Sequence, residues 1–386
     1  MKRFATIFRG AFLASEIAGG VVMMVAAALA LVVANSPLGE QYQHFTHATL
    51  MGDVTVHYFI QDVLMAIFFL MVGLELKYEM IAGSLAGKGQ KMLPLIAAAG
   101  GVIFPALIYM AITHGQPALA AGWAIPTATD IAFAVCVLRL VGPAIPQPAK
   151  MFLLAIAIYD DLAAILIIAF FYSGGIALVP LAAAFGLGLM LFALNRVGVS
   201  RYGPYLLLGA ALWWALAQAG IHPTIAGVVT AMAIPLTSKS GATPLKTLLH
   251  HLHPYVAFGI LPLFAFASAG IDVGAITADQ ALSALPVAIV LGLFIGKQLG
   301  ITLFTWIAVT LGLSKLPAGV HWPMVYGIAM LAGIGFTMSL FIGQLAFADP
   351  ALQMQVKIGV LAGSLLSAIG GFALLRATRR QPQAIP

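Results

Sequence analysis

Two adjacent aspartates, Asp160 and Asp161, lie in the middle of an otherwise uncharged apolar run from Met151 to Tyr172. The run is long enough to cross a lipid bilayer. A carboxylate at the centre of a membrane helix costs about 2.5 to 3.5 kcal/mol on insertion scales, and such residues usually mark a path for ions or protons. A purely structural polar patch is the alternative interpretation. The pair predicts that cation or proton binding takes place at this point of the chain.

A lysine in another apolar run is the expected partner of this pair. Lys297 lies eleven residues after Pro286. That spacing is about 16 Å along a helix, too deep for the ammonium group to reach a membrane surface. A lysine at that depth must be paired, deprotonated or in a watery cavity, and we expect a carboxylate near Asp160 to pair with it. An ion pair that only fixes the helices is the alternative.

A third apolar run, GWAIPTATDIAFAV, contains a residue that breaks helices. Pro126 removes a backbone donor, and Thr129 and Asp130 offer polar partners to the backbone groups that are freed. Asp130 is a candidate cation ligand, but a counter-charge for helix dipole ends is the simpler explanation. We therefore expect an interrupted fourth helix.

A fourth run, LAGIGFTMSLF, predicts a second interruption in the eleventh helix, because it places Gly333, Gly335 and Thr337 at mid-membrane depth. The two glycines are also explained by close helix packing alone. Two interrupted helices in corresponding halves of a chain are typical of inverted-repeat transporters. They predict a transporter with two discontinuous helices and an ion site at the membrane midplane.

The elements that must position these residues are membrane helices. With 62% hydrophobic and 8% charged residues and a mean hydropathy of +1.05, the chain cannot be a water-soluble globule. Apolar runs of bilayer length predict an all-α polytopic membrane protein of about twelve transmembrane helices. Their centres lie near residues 24, 70, 104, 130, 161, 187, 211, 229, 260, 298, 332 and 367.

Composition also limits cofactors and partners. A single cysteine excludes a disulfide framework and a cysteine-rich metal site, and no basic patch interleaved with aromatic residues indicates nucleic acid. His250, His251 and His253 invite a zinc interpretation, yet no carboxylate or cysteine lies near them in the sequence. We expect no cofactor, no nucleic-acid partner and no metal other than a transported cation.

Charged residues orient the predicted helices. With a cytoplasmic N-terminus, sixteen of the eighteen Lys and Arg residues fall in cytoplasmic segments, so we expect both termini in the cytoplasm. A signal peptide is the alternative, but the apolar run from about Ile17 to Asn35 is long for one. The segment from His44 to Tyr58 contains Gly-Asp between β-branched residues and predicts a short periplasmic β-hairpin. Its edges offer a site for two protomers to pair.

Other protein classes fit these residues less well. Tyr159 and Asp160 suggest an intramembrane aspartyl protease, but the Gly-x-Gly-Asp motif expected around its second aspartate does not occur. A passive cation channel has no need of Lys297. A carrier of organic anions fits poorly with two acids at its site. A secondary active transporter, which is not an enzyme, is the favoured class.

Seven sequence strings identify a family that the chain resembles. They are FFLMVGLELK, GWAIPTATDIAFA, AIYDDLAAI, GIHPTIAGV, LPLFAFASAG, GKQLGI and GIGFTMSLF, in this order. From about Leu13 to Arg376 the chain resembles the NhaA-type sodium/proton antiporters. The resemblance implies a pH-regulated, electrogenic transporter of the bacterial inner membrane. It implies a homodimer in which each Na+ or Li+ expelled is exchanged for more than one proton.

The resemblance also assigns roles to individual residues. Asp161 matches the principal cation ligand, Asp160 matches an assisting residue or the partner of Lys297, and Thr129 and Asp130 match the crossing of the unwound chains. Because adjacent helix residues point about 100° apart, we favour Asp161 as the ligand and Asp160 as the partner of the lysine. A second set is tied to cation access or pH response: Asp62, Glu75, Glu79, His222, Lys246 and His253.

Ordinary explanations exist for part of this access set. Glu75 and Glu79 lie beside Lys77 at a predicted helix end, where solvated charges are common. His222 precedes Pro223 and is equally explained as a residue at the start of a helix.

The sequence departs from the family pattern in two places. Tyr78 and Leu249 stand where charged residues of a cytoplasmic funnel are expected, which leaves the pH of activation open. The loop from Ser36 to Tyr58 is slightly shortened, which leaves the strength of the dimer open. Within the single transporter unit of residues 1–386, we expect core helices at about 93–175 and 284–380, and dimerisation and connecting helices at about 10–90 and 178–271.

Overall fold

The computed structural model describes residues 16–52, 54–83, 87–142, 145–238 and 241–378, most of which are helical. The helices are α1 (Glu16–Ala34), α2 (Gly39–His47), α3 (Val56–Ile81), α4 (Lys88–Ile112), a 3₁₀ helix (Pro117–Thr127), α5 (Ile131–Val141), α6 (Gln147–Phe171), α7 (Leu178–Val197), α8 (Gly203–Ala219), α9 (Ile225–Ala233), α10 (Pro244–Ala269), α11 (Ala278–Ala281), α12 (Ala284–Thr310), α13 (Trp322–Leu331), α14 (Phe336–Ala346) and α15 (Pro350–Thr378). Six of the Lys and Arg residues counted in the topology prediction lie outside the described residues: Lys2, Arg3, Arg9, Lys239, Arg379 and Arg380.

The architecture is that of an all-α polytopic membrane protein, as the sequence predicts. Seven of the described helices are long and apolar enough to cross a membrane, and up to ten spans result if each bent helix pair is taken as one. The seven are α3, α4, α6, α7, α10, α12 and α15. Helix α8 occupies the predicted centre near residue 211, and its 17 residues are at the lower limit of a span. Helix α9 occupies the centre near residue 229, but its 9 residues are too few to cross a membrane. The count of twelve crossings remains a prediction.

The predicted hairpin is present. Strands β1 (Thr49–Met51) and β2 (Val54–Thr55) form an antiparallel pair. Between them, Gly52 has a φ of +58°, a conformation that favours glycine. The hairpin is shorter than the segment that predicts it, because α2 continues to His47.

Both helices predicted to be interrupted are bent pairs. The 3₁₀ helix and α5 meet at 45° around residues 128–130, and α13 and α14 meet at 46° around residues 332–335. Pro126 lies near the end of the 3₁₀ helix, where its missing N–H weakens continuation as an α-helix. At the second break, a Cβ atom on Gly333 would collide with the carbonyl oxygen of Leu293. The second break therefore packs directly against α12.

Helices α4 and α12 make a reciprocal contact. A Cβ atom on Gly100 would collide with the backbone of Gly300, and a Cβ atom on Gly300 would collide with the backbone of Gly100. One turn along each helix, Phe104 and Phe304 form an edge-to-face pair with ring centroids 6.2 Å apart. The same glycine–phenylalanine spacing thus occurs on both sides of the contact.

The aspartate pair lies on the most central of the long helices. In α6, 72% of the most apolar window is buried within the protein, whereas the value for α7 is 11%. Helix α6 packs against α3, α4, α5 and α13, so it is surrounded by protein for most of its length. Carboxylates in its middle turns are therefore kept from lipid by neighbouring helices.

Candidate ion-binding site

Asp160 and Lys297 form a buried ion pair between α6 and α12. The Oδ2 atom of Asp160 lies 2.5 Å from Nζ of Lys297. Asp160 and Asp161 are each 1% exposed, and Lys297 is fully buried. A π-helical turn, Gly292–Gly296, directly precedes the lysine. Such turns are rare and frequently occur at functional sites.

Thr129 connects this ion pair to the second chain break. Its Oγ1 atom lies 2.6 Å from Oδ2 of Asp160 and accepts a hydrogen bond from Nζ of Lys297 at 3.1 Å. The same Oγ1 atom lies 2.6 Å from the carbonyl oxygen of Ala332. A hydroxyl group has one proton, so it donates to only one of these two oxygens at a time. Thr129 is therefore shared between the charged pair and the backbone of the second break.

Asp130 joins the two breaks to each other. Its N–H donates to the carbonyl oxygen of Ile334 at 2.6 Å. Its Oδ2 atom accepts from the N–H and the hydroxyl of Thr337 at 3.1 and 2.5 Å, and its Oδ1 atom accepts from the N–H of Phe133 at 3.0 Å. The carboxylate thus lies at the N-termini of both α5 and α14. This is the geometry expected of a counter-charge for two helix N-termini.

Two oxygens of the aspartate pair have no partner. Among the described residues, Oδ1 of Asp160 and Oδ1 of Asp161 are buried and accept no hydrogen bond. Burying a polar atom without a hydrogen bond is costly, and more so when the group is charged. These two atoms are the positions at which a cation or a proton would remove that cost.

A cavity of about 260 Å³ reaches Asp161. Its wall includes two further acids, Asp130 and Glu75, and two basic residues, Arg139 and Lys150. Apolar side chains of α3, α5, α6 and α10 form most of the remaining surface. One water molecule occupies about 30 Å³ in the liquid. The cavity therefore has room for a hydrated cation next to the aspartate.

Comparison with known proteins identifies the family. The family model described as Na+/H+ antiporter 1 matches residues 10–375. The chain belongs to this family. Na(+)/H(+) antiporter NhaA 1 of Pseudomonas syringae pv. syringae (strain B728a) is 52% identical over 374 residues, which cover 96% of this chain and 95% of the relative. Na(+)/H(+) antiporter NhaA of Rhizorhabdus wittichii is 53% identical, with 96% and 98% covered. The protein of that name from Vibrio campbellii is 49% identical, with 94% of each chain covered. The resemblance drawn from the sequence strings is confirmed.

In this member of the Na+/H+ antiporter 1 family, the access set is not one cluster. Glu75 and His253 line the cavity. Asp62 instead lies 3.6 Å from His222, whose ring packs edge-to-face on Phe341. His222 lies between α8 and α9, and burial lowers the pKa of its imidazole to about 4. The imidazole is therefore neutral near pH 7, and the contact with Asp62 is not a pair of two full charges there.

The remaining access residues lie at the ends of α3 and α10. Glu79 occupies the last turn of α3. The ammonium group of Lys246 lies 5.1 Å from the centre of the Tyr78 ring, which is a cation–π contact. Leu249 packs against the apolar core. Of the two residues that depart from the family pattern, Tyr78 therefore offers an aromatic face to Lys246, and Leu249 adds an apolar side chain to the core.

Several groups at the site were not anticipated from the sequence. They include the carbonyl groups of Ala332 and Ile334 and the hydroxyl of Ser364, which accepts from the N–H of Phe336 at 3.1 Å. Ser339 is different, because it belongs to the second run that the sequence predicts to be interrupted; its hydroxyl donates to the carbonyl oxygen of Ile125 in the 3₁₀ helix at 2.7 Å. Carbonyl groups carry no sequence signal. Small hydroxyl residues in apolar helices more often serve helix packing.

Proposed function

We propose that the protein is an electrogenic sodium/proton antiporter that expels Na+ or Li+ from the cytoplasm and takes up more than one periplasmic proton per cation. The observation that carries the proposal is the pair of unpartnered, buried carboxylate oxygens on Asp160 and Asp161 beside Lys297. Membership of the Na+/H+ antiporter 1 family and relatives named Na(+)/H(+) antiporter NhaA support the two ions. Such a protein is a secondary active transporter.

The chemistry of the site suits a small hard cation. Hard cations favour several oxygen ligands. Oδ1 of Asp160 and Oδ1 of Asp161 are free to bind without breaking another bond. The hydroxyl of Thr129 is the next nearest ligand, because it already touches Asp160. A proton neutralises the same carboxylates, so cations and protons compete for one site.

Competition between Na+ and protons for one site leads to exchange when the site opens alternately to the cytoplasm and to the periplasm. Sodium enters from the cytoplasm through the cavity beside Asp161 and displaces protons. The loaded core, at about 93–175 and 284–380, then moves against the dimerisation and connecting helices, at about 10–90 and 178–271. Periplasmic protons expel the cation. In each loaded state the bound cation or protons compensate carboxylate charge, which lowers the cost of movement through a low-dielectric interior. Because more than one proton replaces one cation, the two loaded states differ in net charge and the exchange is electrogenic.

Packing in the core supports an inverted repeat. The reciprocal contact of Gly100 with Gly300 and the two bent helix pairs are features that a repeat related by a two-fold axis would produce. We infer that the interrupted helices cross at the membrane midplane and that Thr129 and Asp130 lie at this crossing.

Location and assembly belong to the same proposal. Apolar helices and bacterial relatives support a multi-pass protein of the bacterial inner membrane, and the distribution of Lys and Arg supports cytoplasmic termini. We infer a homodimer joined through the hairpin β1–β2, which contributes to sodium and pH homeostasis. The access set is inferred to tune entry and pH response, and the cavity-lining positions of Glu75 and His253 support this for two of its members.

Reconstitution tests the proposal. Lumenal pH is recorded in liposomes that contain wild type, Asp161→Asn or Asp279→Asn, after addition of Na+, Li+, K+ or choline. Asp279 is exposed in α11, so it provides the same substitution away from the site. We expect Na+ and Li+ alone to drive proton movement, and only Asp161→Asn to abolish it. Sodium uptake without proton movement would indicate a channel. Normal coupled exchange by Asp161→Asn would refute the assigned ligand.

A further inference from the structure

Helix α14 begins without a side-chain cap from the residue that precedes it. Gly335 precedes it and has no side chain that could accept a hydrogen bond. By contrast, Asp130 precedes α5 and accepts from the N–H of Phe133. The first N–H groups of a helix have no partner within that helix, so buried ones need acceptors from elsewhere. The acceptors for α14 must come from other segments.

Two segments supply these acceptors. The N–H of Phe336 donates to Oγ of Ser364 on α15 at 3.1 Å. The N–H of Thr337 donates to Oδ2 of Asp130, also at 3.1 Å. Ser364 is 4% exposed, so water has little access to replace its hydroxyl. The start of α14 is thus held by Asp130, a residue of the ion site, and by Ser364, a serine with no role in the exchange cycle proposed above.

Small residues fix α15 at the distance that this bond needs. A Cβ atom on Gly363 would lie 3.0 Å from Cδ1 of Leu293, and one on Gly359 would lie 3.0 Å from Cα of Pro286. Helix α15 is therefore in close contact with α12 on the side of its glycines. Because a serine side chain is short, the position of the Ser364 hydroxyl follows from the position of the helix.

We propose that Ser364 is a positioning residue for ion exchange. Its hydroxyl fixes the start of α14, and the fixed helix start keeps Thr337 on Asp130. Asp130 adjoins Thr129, whose hydroxyl contacts Asp160. The inference rests on the proposed antiport and adds a residue that acts through others without touching the cation. Loss of the hydroxyl should therefore raise the KM for Na+ more than it lowers the maximal rate.

Helix α15 provides a matched control. Ser367 lies one turn further along and is fully buried, and its Oγ atom has no partner in the part of the chain that the structure describes. Ser364→Ala and Ser367→Ala remove the same atom from the same helix, but only the first removes the acceptor of a helix N–H. Ser364→Thr retains the hydroxyl, and Ser364→Cys retains the approximate volume with a weaker acceptor.

The experiment measures Na+-driven proton movement in liposomes over a Na+ series for each full-length variant, together with its Tm in detergent. An unsatisfied N–H at Phe336 should raise the KM for Na+ in Ser364→Ala about fivefold or more, with a maximal rate near that of wild type. Ser364→Thr should restore the KM, and Ser364→Cys should give an intermediate value. Ser367→Ala should retain the wild-type KM. If Ser364→Ala does not fold, Ser364→Cys carries the comparison.

Distinct outcomes separate this inference from the antiport itself. An unchanged KM in Ser364→Ala and Ser364→Cys would overturn it. So would an equal rise in Ser367→Ala, or a lower Tm and maximal rate at unchanged KM, because either result assigns the serine to packing alone. Absence of Na+-driven proton movement in wild type would instead overturn the proposed function.

Discussion

At the scale of single residues, the two aspartates of α6 differ in their bonds and therefore in what they can do. Oδ2 of Asp160 contacts both Lys297 and Thr129, whereas Asp161 borders the cavity with an unpartnered oxygen. A carboxylate held by two partners is suited to fixing geometry, and one beside a cavity is suited to exchanging ligands. Since adjacent residues point about 100° apart, one helix can present both. Protons leave such a pair in coupled steps that belong to neither residue alone.

The buried ion pair makes a prediction about stability. Lys297→Met removes the charge and leaves Asp160 as a buried carboxylate without its partner. Removing one member of a buried pair costs about 3 to 5 kcal/mol, so the variant should melt well below wild type in detergent. Adding Asp160→Asn should recover a large part of the loss, because both charges are then absent. Melting curves of wild type, both single variants and the double variant measure the coupling. Purely additive losses would contradict a direct interaction.

The proposed competition between Na+ and protons at Asp161 makes a prediction about pH. As pH falls, a larger fraction of the site holds protons, so the KM for Na+ should rise. For one competing proton the rise approaches about tenfold per pH unit below the ionisation of the site, and for two it approaches about a hundredfold. Initial rates in liposomes over a pH series measure the slope. A KM that does not change with pH would exclude a shared site and favour separate paths for Na+ and protons.

At the scale of elements, the sequence predicts where the two helices are interrupted but not the local structure at each interruption. Pro126 and the glycines Gly333 and Gly335 are local signals, and both breaks lie where they predict. The length of the 3₁₀ segment has no such signal. It contacts α4, α14 and the π-helical turn of α12, so its form depends on residues that are far away in sequence.

The end of helix α9 is a second feature that the local sequence does not predict. The apolar run around residue 229 predicts a full span, but α9 ends at Ala233. There, Lys77 donates to the carbonyl oxygens of Met232 and Ile234, and Asn195 donates to that of Ala233. These polar groups from α3 and α7 satisfy the last carbonyl groups of α9. A residue that the sequence counts only as a cytoplasmic charge thus stabilises a helix end, which no local pattern reveals.

The contact between α4 and α12 makes a prediction at this scale. Gly300→Ala places a methyl group against the backbone of Gly100, where neither helix can yield without separating. Overpacking of this kind costs about 1 to 3 kcal/mol, so the variant should melt at a lower temperature than wild type. Gly188→Ala on α7 is the control, because no atom lies within 4 Å of its Cβ position. Alanine also favours helix over glycine there, so the control should melt at or above wild type. Equal melting of the two variants would contradict the close approach of α4 and α12.

At the scale of the whole molecule, composition predicts that the chain is a membrane protein, but it does not predict how the helices or the protomers pack together. Hydropathy predicts a membrane protein because lipid contact demands apolar surfaces along every span. It carries no information on which helices bury polar groups, since α6 and α7 have similar hydropathy but very different burial. The proposed pairing of protomers is harder still to predict from composition, because it would depend on a short exposed segment outside the spans.

That segment makes the last prediction. Leu50 lies in β1 between the two residues that pair with β2, and its side chain is 56% exposed. Leu50→Pro removes one N–H from β1 and disturbs the pairing of β1 with β2. A disturbed strand is a poor partner for a second chain. Leu50→Ala shortens the side chain but keeps the N–H. We expect light scattering in detergent to report monomers for the proline variant and dimers for the alanine variant and wild type.

Na+-driven proton movement by the same variants shows whether a single protomer or only a dimer transports ions. Asp160, Asp161, Lys297 and both chain breaks belong to one chain, so the proline variant should retain Na+-driven proton movement per protomer. A dimer that survives the proline would place the interface elsewhere on the molecule. Loss of exchange in proportion to loss of dimer would have another meaning. It would show that a second protomer must stabilise the helices against which the core moves.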